Sequence, residues 1–217
     1  MRFPAPVTGF LFAGGRSRRM GQDKVQLPWH GSTLLDLALD KLRAVCSPVR
    51  ICSNRQDLYT DVPVLADASV VIEGVECSPI GPLGGLLAAL EQTKTDWNLF
   101  LPVDVPLLPV ALLQQMVQKT EASSAWAIVP TLHGKPQPLC AVYHRALSSG
   151  LRQAAQEEQW KITTALQSAA PDEVVHWMDC TGAEADRWFL NLNTPRDWIR
   201  LQSLTEESAG YFQYGGR

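Results

Sequence analysis

The residues with most chemistry to offer form one early run, in which Ala13-Gly14-Gly15 leads into Arg16, Ser17, Arg18, Arg19, Met20, Gly21, Gln22, Asp23 and Lys24. Positions 16 to 24 hold four cations (Arg16, Arg18, Arg19, Lys24) and one anion (Asp23); these nine residues carry +3 in a chain of net charge −3, leaving −6 elsewhere. Glycines let backbone N–H groups close on an oxyanion without Cβ interference, so a polyphosphate is the natural guest of such a loop. A second signal is Leu101-Pro102-Val103-Asp104-Val105-Pro106, an apolar strand ending on one carboxylate fenced by two prolines. Mg²⁺ takes a few carboxylate oxygens and completes its shell with substrate phosphates, which makes Asp104 the candidate metal ligand. Each signal has a plainer reading: a solvated turn with surface arginines, and a strand-end Asp bonding a local N–H. Both at one sheet edge are harder to explain separately.

The loop matches neither common phosphate pattern. Five residues separate Gly15 from Gly21 and neither Ser nor Thr follows Lys24, so GxxxxGK[ST] fails, and so does GxGxxG.

These residues need elements to position them, and short apolar runs alternate with stretches of helical period, the pattern of an α/β fold with a mostly parallel sheet. Strands are predicted over Val7–Phe12, Val49–Ser53, Val62–Leu65, Trp97–Val103, Ala125–Val129, Leu139–Tyr143, Val174–Trp177 and Phe189–Leu192. Helices are predicted over Leu34–Val45, Leu83–Gln92, Ala111–Gln118, Ala146–Gln156, Ile162–Ala169 and Pro195–Leu204. Leu34, Leu35, Ala38, Leu39 and Leu42 keep the i, i+3, i+4 spacing of one buried face, and Thr194-Pro195 gives an N-cap followed by Pro at the first helical position. Open α/β sheets bind ligands outside the carboxyl ends of their strands, where the Gly-rich loop and Asp104 both fall.

Composition narrows the function classes. With 46% apolar residues and 19% charged ones the chain has the makings of a packed core, and its 217 residues suit a single domain over 1–205, with a disordered tail expected over 206–217. An excess of 22 acidic over 19 basic residues argues against nucleic-acid binding. No apolar run approaches the roughly 20 residues that cross a bilayer, and the N-terminal apolar segment reads as a strand rather than a signal peptide because glycines and arginines follow at once. Five cysteines (Cys46, Cys52, Cys77, Cys140, Cys180) with no CxxC pair support neither a disulfide framework nor a zinc site, and fit a reducing cytoplasm.

Four segments in order, AGGRSRRMGQDK, GPLGGL at Gly81–Leu86, PVDVP at Pro102–Pro106 and NLNTPRDW at Asn191–Trp198, resemble the MobA-type molybdenum cofactor guanylyltransferases over most of the chain. The resemblance implies a three-layer Rossmann-like nucleotide-diphospho-sugar transferase fold. It implies an activity too: transfer of GMP from GTP to the terminal phosphate of molybdenum-bound molybdopterin, with release of pyrophosphate and with Mg²⁺ as cofactor. Carried over by motif, Phe12, Ala13, Gly14 and Gly15 lie against the nucleotide, Lys24 and Arg19 contact its phosphates, Asn54 and Asp67 are nucleotide-binding, and Asp104 is the metal ligand. Asn191 and Asn193 resemble positions on the pterin side, with capping of the last helix as the alternative, and Gln137 belongs to a segment leading toward that side. Molybdoenzyme chaperones or cofactor-delivering proteins are implied partners; nucleic acid and membranes are not. The stretch over 68–80, with Val70-Val71-Ile72 and Cys77, departs from the family pattern by its length.

The acceptor phosphate is already an oxygen nucleophile, so catalysis needs in-line positioning and charge neutralisation rather than Ser-His or Cys-His activation. His30, His133, His144 and His176 accordingly read as structural or surface residues. Retention of AGG and GPLGG favours GTP over CTP. A related nucleotidyltransferase using CTP, or acting on a sugar or isoprenoid phosphate, is the alternative, and a non-catalytic nucleotide-binding protein is a third class. Gly84 and Gly85 at a helix start cost roughly 0.5–1 kcal/mol each against Ala, which implies that a ligand or another stretch of chain approaches closely there.

Overall fold

A computed structural model describes residues 6–13, 24–55, 61–169 and 174–213, with side chains to Leu204. Its elements begin with β1 (Val7–Phe12), a 3-10 turn (Lys24–Gln26), β2 (Pro28–Trp29), β3 (Ser32–Thr33), α1 (Leu34–Arg43), β4 (Val49–Cys52) and β5 (Val64–Leu65). Next come β6 (Val70–Ile72), β7 (Val75–Cys77), α2 (Pro82–Gln92), β8 (Trp97–Pro102), α3 (Val110–Ala122), β9 (Ala127–Leu132), β10 (Lys135–Pro136) and β11 (Val142–His144). The chain finishes with α4 (Ser148–Gln156), α5 (Ile162–Ala169), β12 (Val175–Cys180), α6 (Ala183–Trp188) and α7 (Pro195–Gln213).

β1 is central because both of its faces are apolar, with Phe10 and Leu11 fully buried on opposite sides. It pairs in parallel with β4 and with β8, and β5 extends the sheet beyond β4. On the other side β11 runs antiparallel to β8 and β9, and β12 adds in parallel along the whole of β9. The mostly parallel α/β architecture expected from the alternation is therefore the one observed. One core layer joins Leu11, Leu99 and Leu101 to Leu34, Leu39 and Leu42 of α1 and to Leu112, Leu113 and Met116 of α3. The opposite layer joins Phe10 and Phe100 to α2, α4 and α5 through Leu83, Leu87, Leu151 and Leu166.

Local chemistry sets the helix starts. Thr33 Oγ1 accepts from Asp36 N at 3.1 Å and opens α1, and Thr194 O and Oγ1 accept from Asp197 N to open α7 at the expected cap. Leu34, Ala38, Leu39 and Leu42 are buried as their spacing predicts, and Leu35 is half-buried.

One expected strand needs correction. Phe189–Leu192 is not a strand: the six-residue α6 ends at Trp188, and the following turn plugs Phe189 and Leu192 into the core without a pairing strand. The stretch over 68–80 is a hairpin, β6–β7, whose Glu73-Gly74 turn places both residues at positive φ (49° and 80°), the geometry of a two-residue turn that matches strand twist. Val70 roots the hairpin in the core, and Arg152 of α4, paired with both carboxylate oxygens of Glu91, donates to Ser69 O at 3.0 Å. The last helix runs past Leu204 to Gln213. Among the described residues no helix is long and apolar enough to cross a membrane.

Candidate active site

The carboxyl ends of β8, β1, β4 and β5 lie side by side, with β4 next to β1 on one side and β8 on the other, and open α/β sheets bind ligands outside such strand ends. Asp104 sits on the turn that ends β8. Val103 N donates to Phe12 O at 3.1 Å and Leu192 N to Asp104 O at 2.9 Å, so the turn is tied both to the central strand and to the segment that enters α7.

Against that turn stands Lys24. Its Nζ is 3.5 Å from Asp104 Oδ2 and donates to Asn193 Oδ1 at 2.7 Å, joining residues 80 and 169 positions away. With side chains only 16% and 24% exposed, the pair is poorly screened by water. Burial pushes the Asp104 carboxyl above its ordinary value, and the charge and hydrogen bond of Lys24 pull it partly back. Asn193 is held in turn by Asp197, whose carboxylate accepts from Asn193 N at 3.0 Å and Thr194 N at 2.8 Å. Desolvation opposes ionisation of Asp197, but these bonds and the nearby Lys24 outweigh it and hold its carboxyl below the usual range.

A second pair lies at the ends of β4 and β5. Asn54 Nδ2 donates to Asp67 Oδ2 at 2.8 Å and Asp67 N donates to Asn54 Oδ1 at 2.9 Å, so each fixes the other. Burial raises the Asp67 carboxyl and the Asn54 bond opposes that shift. Strands are spaced about 4.8 Å apart, so β8 and β5 stand roughly 14 Å from each other, with the end of β1 between the two pairs. There the Phe12 ring stacks on Phe100 with centroids 5.4 Å apart, and Ala13 N donates to Cys52 O. The close approach expected at the start of α2 comes from the chain itself: a Cβ on Gly85 would lie 2.7 Å from Phe12 Cε1 and 3.2 Å from Asp67 Oδ1.

The described residues thus bring together Lys24 with Asp104, and Asn54 with Asp67 on either side of Phe12 and Ala13. Gly14, Gly15 and Arg19, with Arg16 and Arg18, lie outside the described residues. Asn191 Nδ2 turns back to Phe189 O, and Gln137 bonds locally to Lys135 O, so neither joins the Lys24 group through these contacts. Two of the histidines have local partners. His133 pairs with Asp186 at 2.5 Å, and His144 accepts from Ala146 N while its ring packs edge-on to Trp97. Asp197 is the contributor that sequence reasoning missed, although Thr194-x-x-Asp197 has the spacing of a capping box.

The MobA-like NTP transferase domain model matches residues 9–171, which is most of the chain and takes in the carboxyl ends of β8, β1, β4 and β5. The chain belongs to the MobA-like NTP transferases. It is similar to a protein of Bacillus cereus described as a probable molybdenum cofactor guanylyltransferase, 27% identical over 194 residues that cover 89% of this chain and 94% of the relative. A Bacillus anthracis protein of the same description is 28% identical with the same coverage. Among solved structures, molybdopterin-guanine dinucleotide biosynthesis protein A from Archaeoglobus fulgidus superimposes with a TM-score of 0.71 at 19% identity, covering 93% of this chain and all of that one. A CMP:2-keto-3-deoxy-manno-octonic acid synthetase complexed with CTP superimposes with 0.72 at 10% identity, covering 94% of this chain and all of that one. These two structures show the shared fold.

As a MobA-like NTP transferase the chain is a nucleotidyltransferase, and its donor set fits a divalent ion presented with a nucleotide. Among the described residues no three His, Cys, Asp or Glu side chains form a ready cage. One carboxylate with so few protein donors around it suits an ion that draws its other ligands from phosphate and water, as Mg²⁺ does.

Proposed function

We propose that this chain transfers GMP from GTP to molybdenum-bound molybdopterin, forming molybdopterin guanine dinucleotide and pyrophosphate. The observation that carries the reading is the 3.5 Å approach of Lys24 Nζ to Asp104 Oδ2 at the carboxyl end of β8, a cation and a largely buried carboxylate brought from distant parts of the chain to one edge. The names of the Bacillus relatives support the guanylyl donor and the pterin acceptor.

In this reading an oxygen of the acceptor's terminal phosphate attacks the α-phosphorus of GTP. The bond from that phosphorus to the bridging oxygen breaks, and pyrophosphate leaves with the electron pair. No protein nucleophile is required, because the attacking oxygen is already ionised. Asp104 holds Mg²⁺, which when bound neutralises charge on the triphosphate. Lys24 and Arg19 donate to phosphate oxygens as charge develops, and loss of one such donor typically costs on the order of 10²–10³ in rate. Asn54 and Asp67 face the nucleoside, with Phe12, Ala13, Gly14 and Gly15 lining its approach. We assign the reaction to the cytoplasm, with molybdoenzyme chaperones or cofactor-delivering proteins as partners in handing on the pterin.

A melting screen tests the donor. With Mg²⁺, GTP is expected to raise the melting temperature more than CTP, UTP or ATP, and pyrophosphate release is expected only when GTP and molybdopterin are both supplied. Equal shifts for all four nucleotides, or a larger shift with CTP, contradict the guanylyl assignment.

A further inference from the structure

Lys41 is a charged group that the proposed reaction does not use. It lies in α1 on the side facing the Asp104 turn, and its Nζ donates to Pro106 O at 2.5 Å. The surrounding cleft is lined by Leu37, Ala38, Leu101, Val103 and Val105 and is too narrow to admit a water molecule. Burial lowers the amine to about 8, with Cys140 acting in the opposite sense. Packing alone does not account for it: an apolar side chain fills such a cleft without removing an ammonium from water.

The contact bears on Asp104 through the backbone. The turn is fixed at Val103 by Phe12 O and at Asp104 by Leu192 N, and Leu108 N closes it on Val105 O. Pro106, two residues beyond the carboxylate, has no N–H of its own to tie it down, so its carbonyl is the handle available from beneath. Lys41 takes that handle. We infer that Lys41 is a positioning residue that holds the Asp104 turn in register for the metal–triphosphate; this rests on the metal-ligand role proposed for Asp104.

Groups that orient a metal ligand typically cost 10–100-fold in metal affinity when removed. The test uses the full chain and titrates Mn²⁺ in the presence of GTP, following free Mn²⁺ by electron paramagnetic resonance, for the parent, Lys41→Met, Asp104→Asn and the double variant. Lys41→Met is expected to weaken Mn²⁺·GTP binding by about tenfold, to leave metal-free GTP binding within about twofold, and to melt within a few degrees of the parent. In the Asp104→Asn background the same change is expected to cost less than about twofold, because Lys41 acts through the missing carboxylate. Equal losses in both backgrounds, or no loss in the parent, overturn the inference. Lys41→Leu repeats the measurement if the Met variant does not fold, and failure of both to fold makes the residue structural and overturns it too. A parent that binds no Mn²⁺·nucleotide refutes the metal-site reading itself, which separates the two failures.

Discussion

Gly85 is where the fold and the site press hardest on each other, so Gly85→Ala is an informative small change. In an ordinary helix the substitution gains roughly 0.5–1 kcal/mol by removing backbone freedom from the unfolded chain. Here the added Cβ would meet Phe12 Cε1 at 2.7 Å, Asp67 Oδ1 at 3.2 Å and Phe12 Cδ1 at 3.3 Å. The ring cannot swing away freely, since it is stacked on Phe100, which itself has no exposed surface. Overpacking costs about 1–3 kcal/mol, and at so short an approach it takes the upper part of that range, about 2–3 kcal/mol, leaving a net loss of about 1–2.5 kcal/mol. For a chain of this size that is a fall of roughly 2–10 °C in melting temperature. The displaced ring borders the edge proposed for the nucleotide, so the stabilisation produced by GTP with Mg²⁺ should shrink as well. Gly84→Ala is the internal comparison: its Cβ meets Ala68 O and Asp67 Cβ at 3.1 Å, a milder squeeze, so its loss should be the smaller. Thermal melting with and without nucleotide reads both effects, and a Gly85→Ala protein that melts at or above the parent refutes the reasoning.

Asp104→Asn should melt at or above the parent at neutral pH while losing at least about 10³ in turnover. The folded carboxyl titrates above its unfolded value, so ionised Asp104 weakens the fold above the unfolded pKa and a neutral isostere relieves it; a clear drop in melting temperature contradicts this. Asp197→Ala removes the reciprocal side-chain half of the α7 capping box and the anchor of Asn193, and should cost about 1 kcal/mol in urea unfolding, together with weaker GTP binding; unchanged nucleotide binding means Asn193 does not steady Lys24. The half-buried Lys41 gives a pH signature of known sign. Its folded value is about 8 against 10.5 unfolded, so the penalty for burying the charge is full below pH 8 and fades as pH climbs toward 10.5. The stability of the parent relative to Lys41→Met should rise by about 2 kcal/mol between pH 7 and pH 9.5, and a flat difference across that range shows that the amine is not desolvated.

Much of this architecture is legible in the chain. The α1 spacing placed its apolar face, and Asp104 follows the strand of Leu99-Phe100-Leu101 on the turn at the sheet's carboxyl edge. The Lys24–Asp104 encounter is not written locally, because residues 80 apart meet only after the sheet has ordered β8 beside β1. Phe189–Leu192 misleads because apolarity reports burial, and burial in a turn looks the same as burial in a strand when no partner is visible. The β6–β7 hairpin had a signal in Glu73-Gly74 between β-branched residues, whereas α6 had little, being six residues with Glu184, Asp186 and Arg187 on its surface. Lys41 carries no motif at all. Its role follows from Pro106 O lying beneath the turn, which only three-dimensional placement reveals.

The most direct measurement is the anomalous-scattering position of Mn²⁺ in crystals grown with GTP. One peak is expected at about 2–2.3 Å from an Asp104 carboxylate oxygen, bridging to triphosphate oxygens with Lys24 Nζ on the same phosphates. A manganese peak coordinated away from Asp104, with GTP bound and Lys24 turned to solvent, contradicts the metal-site assignment on which the reaction depends.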